Sequence, residues 1–171
     1  MTSTIAVGVS ACLLGEKVRY DGGHRLDSNV TDTLGRLFVF VPVCPEVECG
    51  MSIPREPMRL EGDPAKPRLM TVDSRIDKTG EMASFCRAKV AELAGMALCG
   101  FIFKANSPSC GFFGVTVHNN GMPAGTGRGL FAAALVERFP LLPVEDEKGL
   151  NDPAVREKFI KRIINSNTKE E

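Results

Sequence analysis

An α/β layer structure with a mainly parallel, Rossmann-like sheet is the fold class that this sequence predicts, on three observations. Short apolar runs rich in β-formers recur along the chain, segments with helical spacing of apolar residues alternate with them, and 171 residues at 43% hydrophobic content suit one ordinary domain with a sizeable core. The domain is expected to span 1–171, with its core over about 5–145.

The elements follow in order. Ile5–Ser10 and Leu37–Val43 are short apolar runs bounded by loops and are expected as buried strands, joined by a short helix over about Val30–Arg36 that Asp27 and Ser28 can cap. The stretch Met51–Pro67, with prolines at 54, 57, 64 and 67, is expected as a long loop. From Glu81 to about Met96, Phe85, Cys86, Val90 and Leu93 recur at helical spacing, and a strand over Gly100–Lys104 follows. Phe113–His118 is a further strand, ending in the turn signal Asn119-Asn120-Gly121. The glycine-rich segment Gly125–Gly129 reads as a tight entry into a helix over about Leu130–Phe139. It lacks the Lys-Ser/Thr ending of a P-loop, so no nucleotide site is assigned to it. Leu141–Val144 is the last expected strand. A terminal helix over about 152–165 starts with Asp152 at the cap and Pro153 at the first position, and Asn165–Glu171 reads as a frayed polar tail.

Charge excludes some partners. The 21 basic and 21 acidic residues balance, so no overall field favours nucleic acid or an anionic membrane, and small neutral ligands fit better. No stretch approaches the roughly 20 apolar residues of a membrane span, and the first residues lack a basic segment followed by an apolar run. A cytoplasmic protein is expected, and a homodimer is compatible with this reading.

Six cysteines, at 12, 44, 49, 86, 99 and 110, contain no Cys-x-x-Cys pair, which argues against zinc ribbons, thioredoxin-type motifs and simple ferredoxin runs. Cys12, Cys44 and Cys110 each follow an expected strand and therefore share one edge of a parallel sheet, where ligands bind in open α/β folds. Cys99 precedes a strand and Cys86 sits on the apolar face of a helix, so both read as packing residues. Cys49 stays open between a loop side chain, an extra ligand and a sulfur acceptor. Three thiolates without an obvious fourth ligand suit an open metal site, for which zinc, copper(I) and an iron–sulfur cluster are the soft-ligand choices. Three unconnected buried cysteines remain the alternative from the pattern alone.

Val9-Ser-Ala-Cys12-Leu-Leu-Gly15 with Val18-Arg-Tyr-Asp-Gly-Gly23, then Val43-Cys-Pro-Glu-Val47, then Lys104-Ala-Asn-Ser-Pro-Ser-Cys-Gly111 resemble a family of short bacterial domains whose best-understood members are thiouracil desulfidases. The resemblance runs from about Val7 to Val144 with the motifs in the same order. It implies a 4Fe-4S cluster on Cys12, Cys44 and Cys110, with one iron free for the sulfur of a small thiolated substrate such as 2- or 4-thiouracil. The implied reaction is non-redox, thiouracil and water giving uracil and hydrogen sulfide. Alone, Glu46 reads as a solvated loop charge; matched within Cys44-Pro45-Glu46 it is the candidate general base. Ser107 is carried over as catalytic, and Ser10, Lys104, Asn106 and Ser109 as groups that orient the substrate. The segment Glu48–Pro57 resembles longer relatives that carry a second domain, which widens the substrate class. His24, after a glycine turn, reads as an exposed loop residue. A non-catalytic iron–sulfur or zinc sensor, and an interaction module with packed cysteines, are the competing classes.

Overall fold

The computed structural model describes residues 4–168. Strand β1 (Ala6–Ser10) is flanked by β2 (Val39–Val43), and beyond β1 come β5 (Gly100–Phe103) and β8 (Val144–Asp146). These four form one sheet in the order β2-β1-β5-β8, with every pairing parallel. The central strands are buried on both faces, as parallel strands covered on both sides must be. Side-chain alternation splits them between two cores. Val7, Val9 and Ile102 pack with Leu13, Val30, Leu34, Leu150, Phe159 and Ile163 on one face. Phe101 and Phe103 join Phe131 on the other, with ring centroids 4.5 Å apart for Phe101–Phe103 and 5.7 Å for Phe101–Phe131. Gly8 makes this possible, because a Cβ there would overlap the Phe101 ring.

A second four-stranded sheet is the main departure from expectation. The stretch expected as a loop over Met51–Pro67 contains β3 (Met58–Asp63) and the start of β4 (Lys66–Thr71), an antiparallel hairpin turning at Pro64-Ala65. Strands β6 (Val115–Asn119) and β7 (Met122–Gly127) form the other hairpin, turning at Asn120-Gly121 where the turn signal lies. Strand β3 pairs parallel with β6, so the order is β4-β3-β6-β7. The glycines and prolines that disguised these strands are tolerated because β4 and β7 are the edges, where a missing N–H or side chain costs little. Strand β7 is exposed along nearly all its length and forms through the preceding turn and backbone pairing, without a hydrophobic pattern. Leu60, Leu69, Val115 and Val117 of this sheet enter the same core as Phe101 and Phe131.

The helices are α1 (Pro45–Glu48), α2 (Thr79–Ala94), α3 (Leu130–Arg138) and α4 (Pro153–Asn167). Helix α2 buries Met82, Cys86, Val90 and Leu93, and Phe85 is only partly buried. Asp152 caps α4 through the Ala154 N–H (2.8 Å), as expected. The connector expected as a helix over Val30–Arg36 is a π turn over Asn29–Thr33 followed by a 3-10 turn over Leu34–Arg36; Asp27 accepts the Val30 N–H (3.1 Å), whereas Ser28 makes no cap bond. The last strand is Val144–Asp146 rather than Leu141–Val144, since register with Phe101–Phe103 selects those residues and leaves Leu141 exposed. The expected frayed tail is helical through Asn167, and residues 169–171 lie outside the described residues. Among the described residues no helix is long and apolar enough to cross a membrane.

Candidate active site

The carboxyl edge of the parallel sheet positions the site. Ser10 and Val43 are register partners, so the chains leaving β1 and β2 start side by side, with Cys12 in the 3-10 turn Ala11–Leu14 and Cys44 as the N-cap of α1. Cys110 lies in the long connection from β5 to β6. All three line one cavity of about 420 Å³, as do Glu46, Ser10, Lys104, Asn106, Ser107 and Ser109. The structure therefore gathers every candidate site residue of the motifs, from three segments of the chain.

Each cysteine is held by its own backbone. The Cys12 carbonyl accepts the N–H of Arg25 (2.9 Å), which binds the following loop to the first turn. The Cys44 N–H donates to Glu48 Oε2 (2.8 Å), and Lys89 of α2 binds Glu48 Oε1 at 2.8 Å. The Cys110 N–H donates to Ser107 Oγ (3.0 Å). Helix α3 supports that loop from behind: the N–H groups of Leu130 and Phe131 donate to the carbonyls of Pro108 (3.1 Å) and Ser109 (3.0 Å), and the Gly129 N–H to that of Gly111 (2.7 Å).

The glycine-rich segment is thus divided between two tasks. Gly125–Gly127 belong to β7, and Gly129 alone of its glycines forms the helix entry, as the N-cap of α3. A Cβ on Gly129 would lie 2.5 Å from the Ser109 carbonyl carbon and 3.0 Å from the Cys110 nitrogen. Gly129→Ala is accordingly expected to displace the Cys110 loop, costing about 1–3 kcal/mol as overpacking does. Melting and bound iron per chain, measured together, should both fall.

Burial dominates the electrostatics of the thiols. It pushes Cys12 up to about 11, against the pull of Lys104, and raises Cys44 and Cys110 as well. Cys12 and Cys44 add further to the cost of ionising Cys110. Three thiolates in this cavity need a cation, and a bound metal centre supplies one by deprotonating coordinating thiols outright. Among the described residues no three His, Cys, Asp or Glu side chains are gathered closely enough to hold a metal ion. A single zinc, with Zn–S of about 2.3 Å, would need such a gathering. Arg19 Nε is buried at the cavity wall without a hydrogen-bond partner, its nearest carboxylate being Asp21 at 3.7 Å. Such a donor fits an occupant of net negative charge, which a cluster bearing three thiolates has. Three soft thiolates and this donor fit an iron–sulfur cluster.

The polar groups divide by what they already bind. Glu46 Oε1 accepts the Ser109 hydroxyl (3.3 Å), and Oε2 accepts Arg55 Nε (3.0 Å) and Nη2 (2.5 Å). Ser107 Oγ accepts the N–H groups of Ser109 (3.3 Å) and Cys110 (3.0 Å), so its bonds shape the loop, and it lies 3.1 Å from Ser109 Oγ. Ser10 Oγ accepts the Lys104 N–H (2.9 Å), and Lys104 Nζ binds Glu147 Oε1 (2.5 Å). Asn106, at φ +62, makes the tight bend that starts the Cys110 loop. Arg55 lies in the Glu48–Pro57 segment noted for its resemblance, which assigns it no role, and Glu147 lies in none of the motifs; their partners are 9 and 43 residues away. Glu147 could have been found only from strand register, since Phe103 pairs with Asp146 and the next two residues meet.

The remaining candidates fall outside the cavity. Cys49 is partly buried against the core that contains Cys86, and Cys99 is buried at the opposite end of β5. Cys49→Ala should keep its iron; a loss as complete as that of Cys44→Ala would add Cys49 to the ligands. His24 accepts the Leu26 N–H through Nδ1 (3.0 Å) in an exposed loop, as expected.

The 2-thiouracil desulfurase family matches this chain over residues 7–147. A relative from Bacillus subtilis (strain 168), the uncharacterized protein YbbK, is 32% identical over 155 residues, which are 84% of this chain and 97% of the relative. Among solved structures, the 4Fe-4S-dependent thiouracil desulfidase TudS is similar with a TM-score of 0.71 and 30% identity, over 91% of this chain and 99% of that one.

Proposed function

This chain belongs to the 2-thiouracil desulfurase family, and from that premise we propose that it is a 4Fe-4S-dependent desulfidase, hydrolysing the carbon–sulfur bond of a thiolated pyrimidine to the oxo compound and hydrogen sulfide. The observation that carries this reading is the convergence of Cys12, Cys44, Cys110 and the Glu46 carboxylate on one cavity. Cys12, Cys44 and Cys110 hold the cluster, with no fourth cysteine at the cavity wall among the described residues. When bound, the cluster supplies a Lewis-acidic iron for the substrate's sulfur.

The chain's own residues handle water and orientation. Glu46 accepts a proton from water at Oε1, the oxygen that Arg55 leaves to Ser109. Ser109 holds that oxygen toward the Cys110 loop, and Ser107 keeps the loop in shape through its two backbone bonds. Lys104 and Asn106 orient the pyrimidine, with Lys104 steadied by Glu147. The chain acts as one functional unit over the whole of its described length, and a reducing cytoplasm suits the thiols of Cys12, Cys44 and Cys110.

Protein reconstituted anaerobically with iron and sulfide tests the reading. It should release sulfide from 2-thiouracil or 4-thiouracil in step with uracil formation. An intact cluster that releases none from either compound would remove thiouracil as the substrate.

A further inference from the structure

Arg55 binds three segments of the chain at once. Its Nε and Nη2 both donate to Glu46 Oε2, at 3.0 and 2.5 Å; Nη2 also donates to the Val18 carbonyl (2.9 Å), and Nη1 to that of Ser52 (3.2 Å). The Arg55 N–H donates to the Tyr20 carbonyl (2.8 Å), fixing the arginine's backbone to the same loop as Val18. Its side chain is 7% exposed and that of Glu46 is 14% exposed. Few groups other than guanidinium can make such a set of bonds, since its donors leave a rigid plane in several directions.

We propose that Arg55 is a positioning residue for the desulfuration, holding Glu46 by one oxygen so that the other faces Ser109 and the reacting water. This rests on the reading of Glu46 as the group that accepts a proton. Arg55 divides the carboxylate's two oxygens between structure and chemistry. Oε2 is engaged by two N–H donors, while Oε1 carries a bond of 3.3 Å, long enough to be exchanged for water. Other cations share the cavity wall. Arg19 and Arg25 line the same cavity, and a Glu46 released from Arg55 has these cations to turn toward. Lys104 does not compete, because Glu147 already binds it at 2.5 Å.

The effect of losing Arg55 should therefore appear in turnover rather than in cluster assembly or substrate binding. In Arg55→Ala, iron and labile sulfide should match the parent protein, KM should change little, and kcat should fall by roughly 10²-fold, the usual cost of a misplaced reacting group. Millimolar guanidinium should restore part of that loss in Arg55→Ala and none in Glu46→Gln. Arg55→Lys should recover less than the rescue does, since an ammonium lacks the planar fork.

A second readout needs no cluster and no activity. Melting of the apo-protein should show coupling in a double-mutant cycle: the Tm drop from Arg55→Ala should shrink by at least about half in a Glu46→Gln background, as expected for residues in one ion pair. Full kcat in an iron-replete Arg55→Ala would overturn the proposal. So would additive Tm shifts, or iron loss as complete as in Cys44→Ala, which would place the role of Arg55 at the cluster. If the parent protein releases no sulfide at all, the desulfidase reading fails on its own, and the apo-protein cycle still decides whether Arg55 acts through Glu46.

Discussion

Cys44→Ala is expected to yield a folded chain that takes up no stable four-iron cluster and releases sulfide from thiouracil at no more than the background rate. Cys12→Ala and Cys110→Ala should behave alike. The three thiols come from three different segments, and each is held by hydrogen bonds to its own backbone, so deleting one leaves no neighbour able to replace it. Cys49 does not line the cavity. Folding should survive because removing one sulfur from a buried or half-buried site costs about 1 kcal/mol, on the scale of a buried methylene. Anaerobically reconstituted parent protein should be brown, with broad sulfur-to-iron absorption, and iron and acid-labile sulfide should fall together in each variant. Stoichiometric zinc without labile sulfide in the parent would exclude the iron–sulfur site.

Glu46→Gln is expected to separate assembly from turnover. Glutamine keeps the size of the side chain and can still hydrogen-bond Ser109, so the cluster should load fully. It has no basic carboxylate, and desulfuration should fall by roughly the 10²–10⁴-fold that attends loss of a general acid–base group. Iron content and sulfide release must be measured on the same preparation, because a loss of cluster would mimic a loss of base. Full iron with an unchanged rate would show that Glu46 is not the base.

Most of the site was legible because its residues lie within short motifs, and strand ends are local features. The apolar runs before Cys12 and Cys44 marked the two strands, and their parallel pairing put both thiols on one edge. Of the second sheet only β6 was legible, expected as a strand over Phe113–His118 and found over Val115–Asn119. The sheet's edge strands carry Pro67, Pro123 and Gly125 and lack the alternation that burial would impose, so only pairing with β3 and β6 makes them strands.

The placing of Cys12, Cys44 and Cys110 after strand ends was thus determined by the sequence itself, through strand periodicity, while Glu46 and the order of motifs were read through the resemblance to the desulfidase family. Tertiary structure decided which groups hold them. Arg55 reaches Glu46 because the chain between them folds back across the cavity, and Glu147 reaches Lys104 because β8 aligns with β5. Hydrogen bonds of this kind depend on the distance between atoms in space, which residue spacing along the chain does not encode.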